Sequence, residues 1–302
     1  MPVETRYRLA REGDVPGISS VFTAAYNDLY SKRGMLDAPL NPNPPNPVFA
    51  FLIRKTPDAF WVAEEDGRII AYSDSFVRGT FWYFSWLFVS PGSQGKDIGR
   101  NLLEKTLGSW KGVRITNRAT MTFANNPVSQ SLYMRYGMYP REPAYFVEGR
   151  GETLRDDPKM PGLRFEELSS LREATPVVKK LDRAVLGFPL DWHHEFFFET
   201  KSKCFVFSSR GEQVGYAYFR PSGSVGPVAV SSSRFSGPVF EAALKLAAAQ
   251  GVEKVRFFMP GSNVGAVELV LRHRMRIDPF VHMSTKPLAR WGNYIFHSAA
   301  LM

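Results

Sequence analysis

The chain has 302 residues, of which 44% are hydrophobic and 22% charged, and it contains a single cysteine, Cys204. This length allows two domains of ordinary size. One cysteine excludes an internal disulfide and fits a reducing compartment, and no apolar run approaches the roughly 18 residues of a membrane span. No signal-peptide pattern follows Met1. These features predict a soluble, cytoplasmic protein that does not contact membranes.

The formal net charge of +9 raises the question of nucleic-acid binding. The lysines and arginines are scattered, and neither a basic run nor an aromatic RNA-reading motif occurs. We therefore expect no nucleic-acid partner, and a polyanionic cofactor would account for part of the charge. His273 and His282 are isolated and lack metal-ligand spacing, so we expect no metal site.

The first elements are a short strand and an amphipathic helix. The strand leads from Tyr7 to Asp14, which we expect to cap the helix, with Pro16 in the first turn. Apolar residues then recur at helical spacing as far as Tyr26. From Ser31 to Pro47 the composition shifts to proline, asparagine and glycine, which predicts a long loop.

A hairpin and a buried strand follow. Two apolar runs between Ala59 and Tyr72 flank Asp66-Gly67, a dipeptide that favours a tight reverse turn. The ten residues from Thr80 to Val89 are mostly apolar or aromatic, with a single serine, a pattern that suits a strand covered on both faces.

The turn after this strand combines glycine with positive charge. Gly95 and Gly99 let the backbone approach a ligand closely, and Lys96 and Arg100 add charge. From Ile98 the apolar spacing predicts a helix, whose first amides and dipole attract anions. We expect a phosphate-bearing ligand at this turn; the alternative is an ordinary strand–helix connection.

A second helix after a strand at 113–123 has clear start and stop signals. Asn126 can cap it, Pro127 suits its first position, and Gly137 can end it. Tyr133 lies about two turns in, on a face that could meet the ligand or pack into the core.

The turn and this second helix resemble the GCN5-related N-acetyltransferase (GNAT) family. Gln94-x-x-Asp97-x-Gly99 is close to the family's Q/R-x-x-G-x-G/A signature, and Leu87-Phe-Val-Ser-Pro91 resembles its fourth strand and exit. Asn126 to Met138 resembles its N-x-x-A-x-x-L-Y-x-x-x-G-F segment. Asp97 departs from the signature, which usually has glycine there. The resemblance extends to about residue 145.

The resemblance implies that acetyl-CoA binds along the strand and at the turn. The residues it assigns to the cofactor are Leu87, Phe88, Val89, Gln94, Gly95, Lys96, Asp97, Ile98, Gly99, Arg100 and Asn126. A small-molecule amine would attack the thioester directly, an amide near Phe88 or Val89 would polarise its carbonyl, and Tyr133 would protonate the departing thiolate. The Asp97 carboxylate must then point away from the pyrophosphate, for example as a helix cap.

The sequence gives weaker evidence for the general base and for the acceptor than for the cofactor. The strand has no glutamate where many relatives place one, so Asp74 on the neighbouring strand is the candidate base. Glu195 with the adjacent His193 and His194 is an alternative, and a base is dispensable for a weakly basic acceptor.

Four aromatic residues on the central strand bear on the acceptor. They are Trp82, Tyr83, Phe84 and Trp86. Because side chains alternate in facing, two of them could line the pocket and favour a small amine with apolar bulk. The alternative is that all four are core residues.

The second half repeats the pattern of the first. Gly211 takes the place of Gly67 and Asn263 that of Asn126, whereas Val270 stands where Tyr133 would be. Ser231 to Gly237 lacks the turn signature.

We therefore predict an α/β (α+β) fold of two tandem GNAT-like domains, each a mixed, mostly antiparallel sheet flanked by helices. Residues 1–150 would be catalytic, 150–162 a linker, and 163–302 degenerate and non-catalytic. The oligomeric state stays open. Two rival functions are an acyl-CoA-binding sensor without turnover and transfer from a longer acyl or aminoacyl donor.

Overall fold

The computed structural model describes residues 4–34, 39–154 and 162–302, and it divides the chain into two compact units, residues 1–118 and 119–302. The helices of the first unit are α1 Val15–Ser31, α2 Pro47–Lys55 and α3 Ile98–Gly108, and its strands are β1 Arg6–Leu9, β2 Trp61–Glu65, β3 Arg68–Arg78 and β4 Phe81–Val89. Within the described ranges, every helix is too short or too polar to span a bilayer.

The first unit is an antiparallel sheet in the order β1-β2-β3-β4, with helices on both faces. The predicted hairpin is confirmed, since Asp66 and Gly67 both have positive φ, at 47° and 74°, as a tight two-residue turn requires. One face packs on α3, where Ala63, Ala71, Ile98 and Leu102 form a buried cluster. The other face meets aromatic residues of α1 and α2.

A β-bulge in β4 decides which side chains share a face. Asp74 of β3 pairs with Trp86, and the next residue, Ser75, pairs with Phe84, so Ser85 is the extra residue of β4. Without the bulge, Trp86 would lie on the same face as Phe84, because side chains alternate along a strand. The bulge moves Trp86 to the face of Asp74.

The second unit contains two sheets. Its strands are β5 Asn117–Phe123, which starts two residues before the boundary, β6 Tyr139–Arg150, β7 Arg164–Leu168, β8 Lys203–Ser209, β9 Glu212–Phe219, β10 Val225–Val230, β11 Lys254–Pro260, β12 Arg276–Ser284 and β13 Tyr294–Ile295. Its helices are α4 Pro127–Arg135, α5 Leu171–Leu186, α6 Trp192–Glu199, α7 Ser236–Ala248 and α8 Val264–Arg272. The strand orders are β5-β12-β6-β11 and β13-β10-β9-β8-β7.

The two halves of the sequence exchange their last strands within this unit. β12, from the end of the chain, lies between β5 and β6, and β6 pairs along its length with β11. The predicted boundary at residue 150 follows the sequence repeat, whereas the compact units divide at residue 118. The two divisions differ because the exchanged strands join residues 119–150 to the second half. The predicted linker falls partly on residues 155–161, outside the described ranges.

Candidate active site

The turn between β4 and α3 has the open backbone that the sequence predicted. Gly95 and Asp97 both lie in the left-handed region, with φ of 78° and 57°. The Gln94 side chain donates from Nε2 to the Val89 carbonyl oxygen at 3.1 Å and so ties the turn back to the end of β4. An added Cβ at Gly95 would meet no atom within 4 Å, so the space beside this backbone is free for a ligand.

The start of α3 is held by apolar contacts and presents its first amides. Ile98 is buried, and an added Cβ on Gly99 would stand 3.7 Å from Leu87 and Val89, so the first turn rests on the end of β4. The first helical hydrogen bond runs from Asn101 N to Asp97 O at 2.9 Å, which leaves the preceding amides without helical acceptors.

The charged residues of the turn lie at its surface. Lys96 and Asp97 are exposed, and Arg100 Nε lies 3.1 Å from Glu104 Oε1. The suggested capping role of Asp97 is wrong, because its carboxylate makes no capping hydrogen bond to the helix. Its left-handed backbone explains why the family has glycine here, since other residues adopt that conformation at a cost.

Ten of the eleven residues assigned to the cofactor are brought together in the first unit. Leu87 and Val89 face the α3 cluster, whereas Phe88 faces α1, 5.0 Å from the ring of Phe22. The eleventh residue, Asn126, belongs to the second unit.

Asp74 is fully buried on the α1 and α2 face of the sheet. Its Oδ1 accepts a 2.7 Å hydrogen bond from Thr56 Oγ1, and among the described residues its Oδ2 has no partner. Burial raises the pKa of this carboxyl well above its ordinary value. Such a shift favours the protonated carboxyl, which donates a hydrogen bond and does not accept a proton, and this weighs against Asp74 as a base.

Five aromatic rings form a connected cluster on the face of the sheet that carries Asp74, and we call them the aromatic box. They are Phe22 of α1, Phe49 of α2, Tyr72 of β3, and Trp86 and Phe88 of β4, with neighbouring centroids 5.0 to 6.3 Å apart. In the described part of the chain, Tyr72 Oη and Trp86 Nε1 are also buried without hydrogen-bond partners. Buried polar atoms are normally hydrogen-bonded, so three that lack a partner among the described residues make this face a candidate site for a polar ligand group.

Of the four aromatic residues on β4 that the sequence singled out, three are core. Trp82, Tyr83 and Phe84 are at most 1% exposed, and Trp82 Nε1 donates to Ser75 Oγ at 3.0 Å. Trp86 alone among the four is partly exposed. Phe22, Phe49 and Tyr72 were missed because helical and strand periodicity cannot show which rings meet across elements.

The predicted catalytic helix lies in the second unit. Asn126 caps α4, with Oδ1 accepting from Ser129 N at 3.3 Å and Nδ2 donating to Ser129 Oγ at 2.8 Å, so its capping role is confirmed. Pro127 is the first helical residue, as predicted. Tyr133 is 5% exposed, and burial raises the pKa of its hydroxyl.

Helix α7 takes the place of α3 in the second half of the sequence, and its first turn is packed against α8. A Cβ added to Gly265 of α8 would lie 2.6 Å from the Gly237 amide nitrogen, and Ser236 Oγ donates to Asn263 Oδ1 at 2.8 Å. None of residues 231–237, all of them described, has positive φ. The second half therefore lacks the open backbone that the first half presents at 94–99.

One member of the alternative base group, His194, is part of a buried network. His194 Nε2 lies 2.8 Å from Asp182 Oδ2 and its Nδ1 lies 3.1 Å from Tyr218 Oη. Asp182 Oδ1 accepts from Tyr216 Oη at 2.5 Å. Such a fully bonded network stabilises the packing of α5 and α6 on β9 and leaves His194 no free nitrogen for catalysis.

Comparison with known proteins gives a family match for part of this chain. Residues 56–137 match the family model described as acetyltransferase (GNAT) domain. A search of curated protein sequences gave no match.

Several solved structures have the same fold along nearly the whole chain. A candidate acetyltransferase from Pyrococcus horikoshii is 16% identical with a TM-score of 0.78, covering 99% of this chain and 96% of that one. A GCN5-related N-acetyltransferase from Sphaerobacter thermophilus is 15% identical with a TM-score of 0.66, covering 94% and 96%. A tandem GNAT protein from the clavulanic acid biosynthesis pathway is 16% identical with a TM-score of 0.60, covering 94% and 99%. Residues 56–137 therefore match the GNAT acetyltransferase domain, and the fold of the chain is that of tandem GNAT proteins of known structure.

Proposed function

We propose that this protein is an N-acetyltransferase that moves the acetyl group of acetyl-CoA to the amine of a small molecule. The observation that carries the proposal is the open turn at residues 94–99, which lies within the segment matched by the GNAT family model. Free amides at a helix start, two left-handed residues and two cations are the features that a pyrophosphate requires.

The donor would bind mostly through backbone groups. The pantetheine arm would follow Leu87 to Val89, where the strand is partly exposed, and the pyrophosphate would meet the amides from Gly95 to Gly99. Arg100 would have to release Glu104 to reach a phosphate oxygen, a small loss because exposed i,i+4 ion pairs contribute only about 0.3–0.5 kcal/mol.

The acceptor would be a primary amine with an aromatic or branched apolar body. The aromatic box offers ring faces to the apolar body and attracts a cationic amine. Asp74 Oδ2 and Tyr72 Oη, both without partners in the described ranges, would take hydrogen bonds with the amino group. We assign Asp74 to acceptor binding, and its predicted role as a base stays a prediction.

The reaction would be a single displacement. The neutral amine attacks the thioester carbonyl, a C–N bond forms, and the C–S bond breaks as the tetrahedral intermediate collapses. The amine loses one proton to solvent, and the CoA thiolate gains one. Tyr133 is proposed as the donor of that second proton, on the resemblance of its helix to the family segment. The closed start of α7 supports a non-catalytic role for the second half.

Calorimetry with acetyl-CoA and the full chain tests the donor assignment. We expect saturable binding of one acetyl-CoA per chain, because one open turn is present and its counterpart at Gly237 is closed. Binding of two equivalents would contradict the non-catalytic assignment of the second half. Absence of binding for every coenzyme A thioester would remove the proposed function altogether.

A further inference from the structure

The second unit contains a polar cluster of its own. It consists of Arg220, which follows β9, and His297, near the end of the chain, with Phe196 and Phe197 of α6 beside them. The Arg220 guanidinium lies 4.9 Å from the centroid of the Phe196 ring, and the His297 ring lies 4.7 Å from that of Phe197. We call these four residues the Arg220 cluster.

The unusual feature of the cluster is its unsatisfied donors. Arg220 Nε and Nη2 are buried and, among the described residues, have no hydrogen-bond partner; the same holds for both ring nitrogens of His297. No ion pair joins Arg220 to a carboxylate in the described part of the chain. Burial without a countercharge lowers the pKa of Arg220 to about 10 and, together with Arg220, lowers the pKa of His297 well below its ordinary value.

The geometry of the free donors is specific. The N–H bonds of Nε and Nη2 point the same way along one edge of a guanidinium, which is the fork that binds two oxygens of a carboxylate or phosphate. The backbone of Arg220 is fixed by a turn, since Arg220 N donates to Ser224 O at 2.8 Å and Gly223 N donates to Arg220 O at 2.9 Å. The neutral imidazole beside it offers one further N–H donor.

A partly buried cation without a countercharge is unfavourable, and a bound anion would offset this penalty. We propose that the Arg220 cluster binds the carboxylate or phosphate group of a small molecule, with Arg220 as a bidentate donor and His297 as a further N–H donor. This ligand site does not depend on the proposed acetyl transfer.

Simple aromatic anions test the proposal on the full chain. Benzoate and phenyl phosphate are the probes for the two oxyanion sources, and benzamide is the neutral counterpart of benzoate. We expect saturable binding of at least one anion, seen by calorimetry and as a shifted Arg220 Nε–H resonance, and at least tenfold weaker binding of benzamide. If neither anion binds, or if benzamide binds as well as benzoate, the proposal is overturned.

Two variants assign the binding to this cluster. Arg220→Lys keeps the charge but loses the fork, and we expect at least tenfold weaker binding. Arg234→Lys is the matched control, because Arg234 also lies over a phenylalanine ring, 4.6 Å from that of Phe235, but is exposed; its affinity should equal that of the wild type. If Arg220→Lys fails to fold, His297→Gln replaces it, with an expected loss of severalfold. Unchanged affinity in a folded cluster variant would refute the site.

Discussion

Asp74 and Trp86 lie directly opposite each other on β3 and β4, and the bulge at Ser85 places both side chains on the face that α1 and α2 cover. This pairing brings a fully buried carboxyl and a partly exposed indole into one aromatic box. The acceptor site that we propose exists only because of that one-residue irregularity.

The burial of Asp74 predicts a pH-dependent stability difference. Its folded-state pKa is raised well above the unfolded value, so the unfolded chain loses this proton first as pH rises above about 4. The free energy of unfolding should therefore fall with pH by as much as about 1.4 kcal/mol per pH unit until the folded-state pKa is reached. The Asp74→Asn variant has no carboxyl to ionise here, so its free energy of unfolding should not fall with pH in this way. Denaturant titrations of the wild type and the variant at several pH values measure the difference.

The expected curves converge near pH 3.5 and separate above it, with the variant more stable. Parallel curves between pH 4 and 7 would show that Asp74 ionises normally in the folded protein. In that case the carboxylate would be available as the predicted base, and its assignment to acceptor binding would have to be revised.

Replacing Asp97 tests the turn. Asp97→Gly removes both a left-handed non-glycine residue and an anion beside the proposed pyrophosphate, so we expect about tenfold tighter acetyl-CoA binding, equivalent to about 1.4 kcal/mol. Asp66→Gly is the matched control, because Asp66 is also exposed and left-handed but lies in the hairpin turn. If both variants bind acetyl-CoA more tightly by the same factor, the effect comes from net charge alone and does not depend on the turn.

Tyr133 is tested by separating binding from turnover. Tyr133→Phe should lower the turnover rate by about 100-fold, in the range of general-acid effects, and leave the acetyl-CoA dissociation constant within twofold of the wild type. Burial raises the pKa of this hydroxyl, so the loss should persist at mildly alkaline pH. Tyr136→Phe, on the residue that ends the same helix, is the control and should retain activity. Full turnover in Tyr133→Phe would exclude this residue as the acid.

The exchanged strands predict that the sequence repeat does not mark an independent folding unit. A shortened chain of residues 1–150 lacks β12, which separates β5 from β6, and β11, which pairs with β6. Its unpaired strand edges should cause aggregation. Addition of residues 151–302 as a second polypeptide should restore a soluble complex. Cooperative unfolding of the monomeric 1–150 chain would contradict this prediction.

Local signals in the sequence were sufficient for most elements and for the open turn at residues 94–99. The apolar run ending at Val89, the Asp66-Gly67 hairpin and the Asn126 cap each depend on neighbouring residues, and each is confirmed. Helix α2 was missed because it begins at the end of a proline-rich stretch, although Asn46 caps it and Pro47 is its first residue. The short α6 was missed as well, and it has no side-chain cap.

The features that sequence could not supply are long-range ones. The bulge at Ser85 has no glycine that would indicate it in the sequence. The exchange of β6 and β12 depends on pairs of residues that in several cases are more than 130 positions apart. The orphan atoms around Asp74 and Arg220 likewise become visible only when separate elements are packed together.

Amine-dependent release of CoA from acetyl-CoA tests the central claim most directly. The wild-type chain should release CoA thiol saturably with primary amines that carry an aromatic or branched alkyl body, and weakly with lysine-rich peptides. If acetyl-CoA binds but no amine in a broad panel increases thiol release, the protein is a coenzyme A-binding protein without turnover, and the proposed acetyl transfer is contradicted.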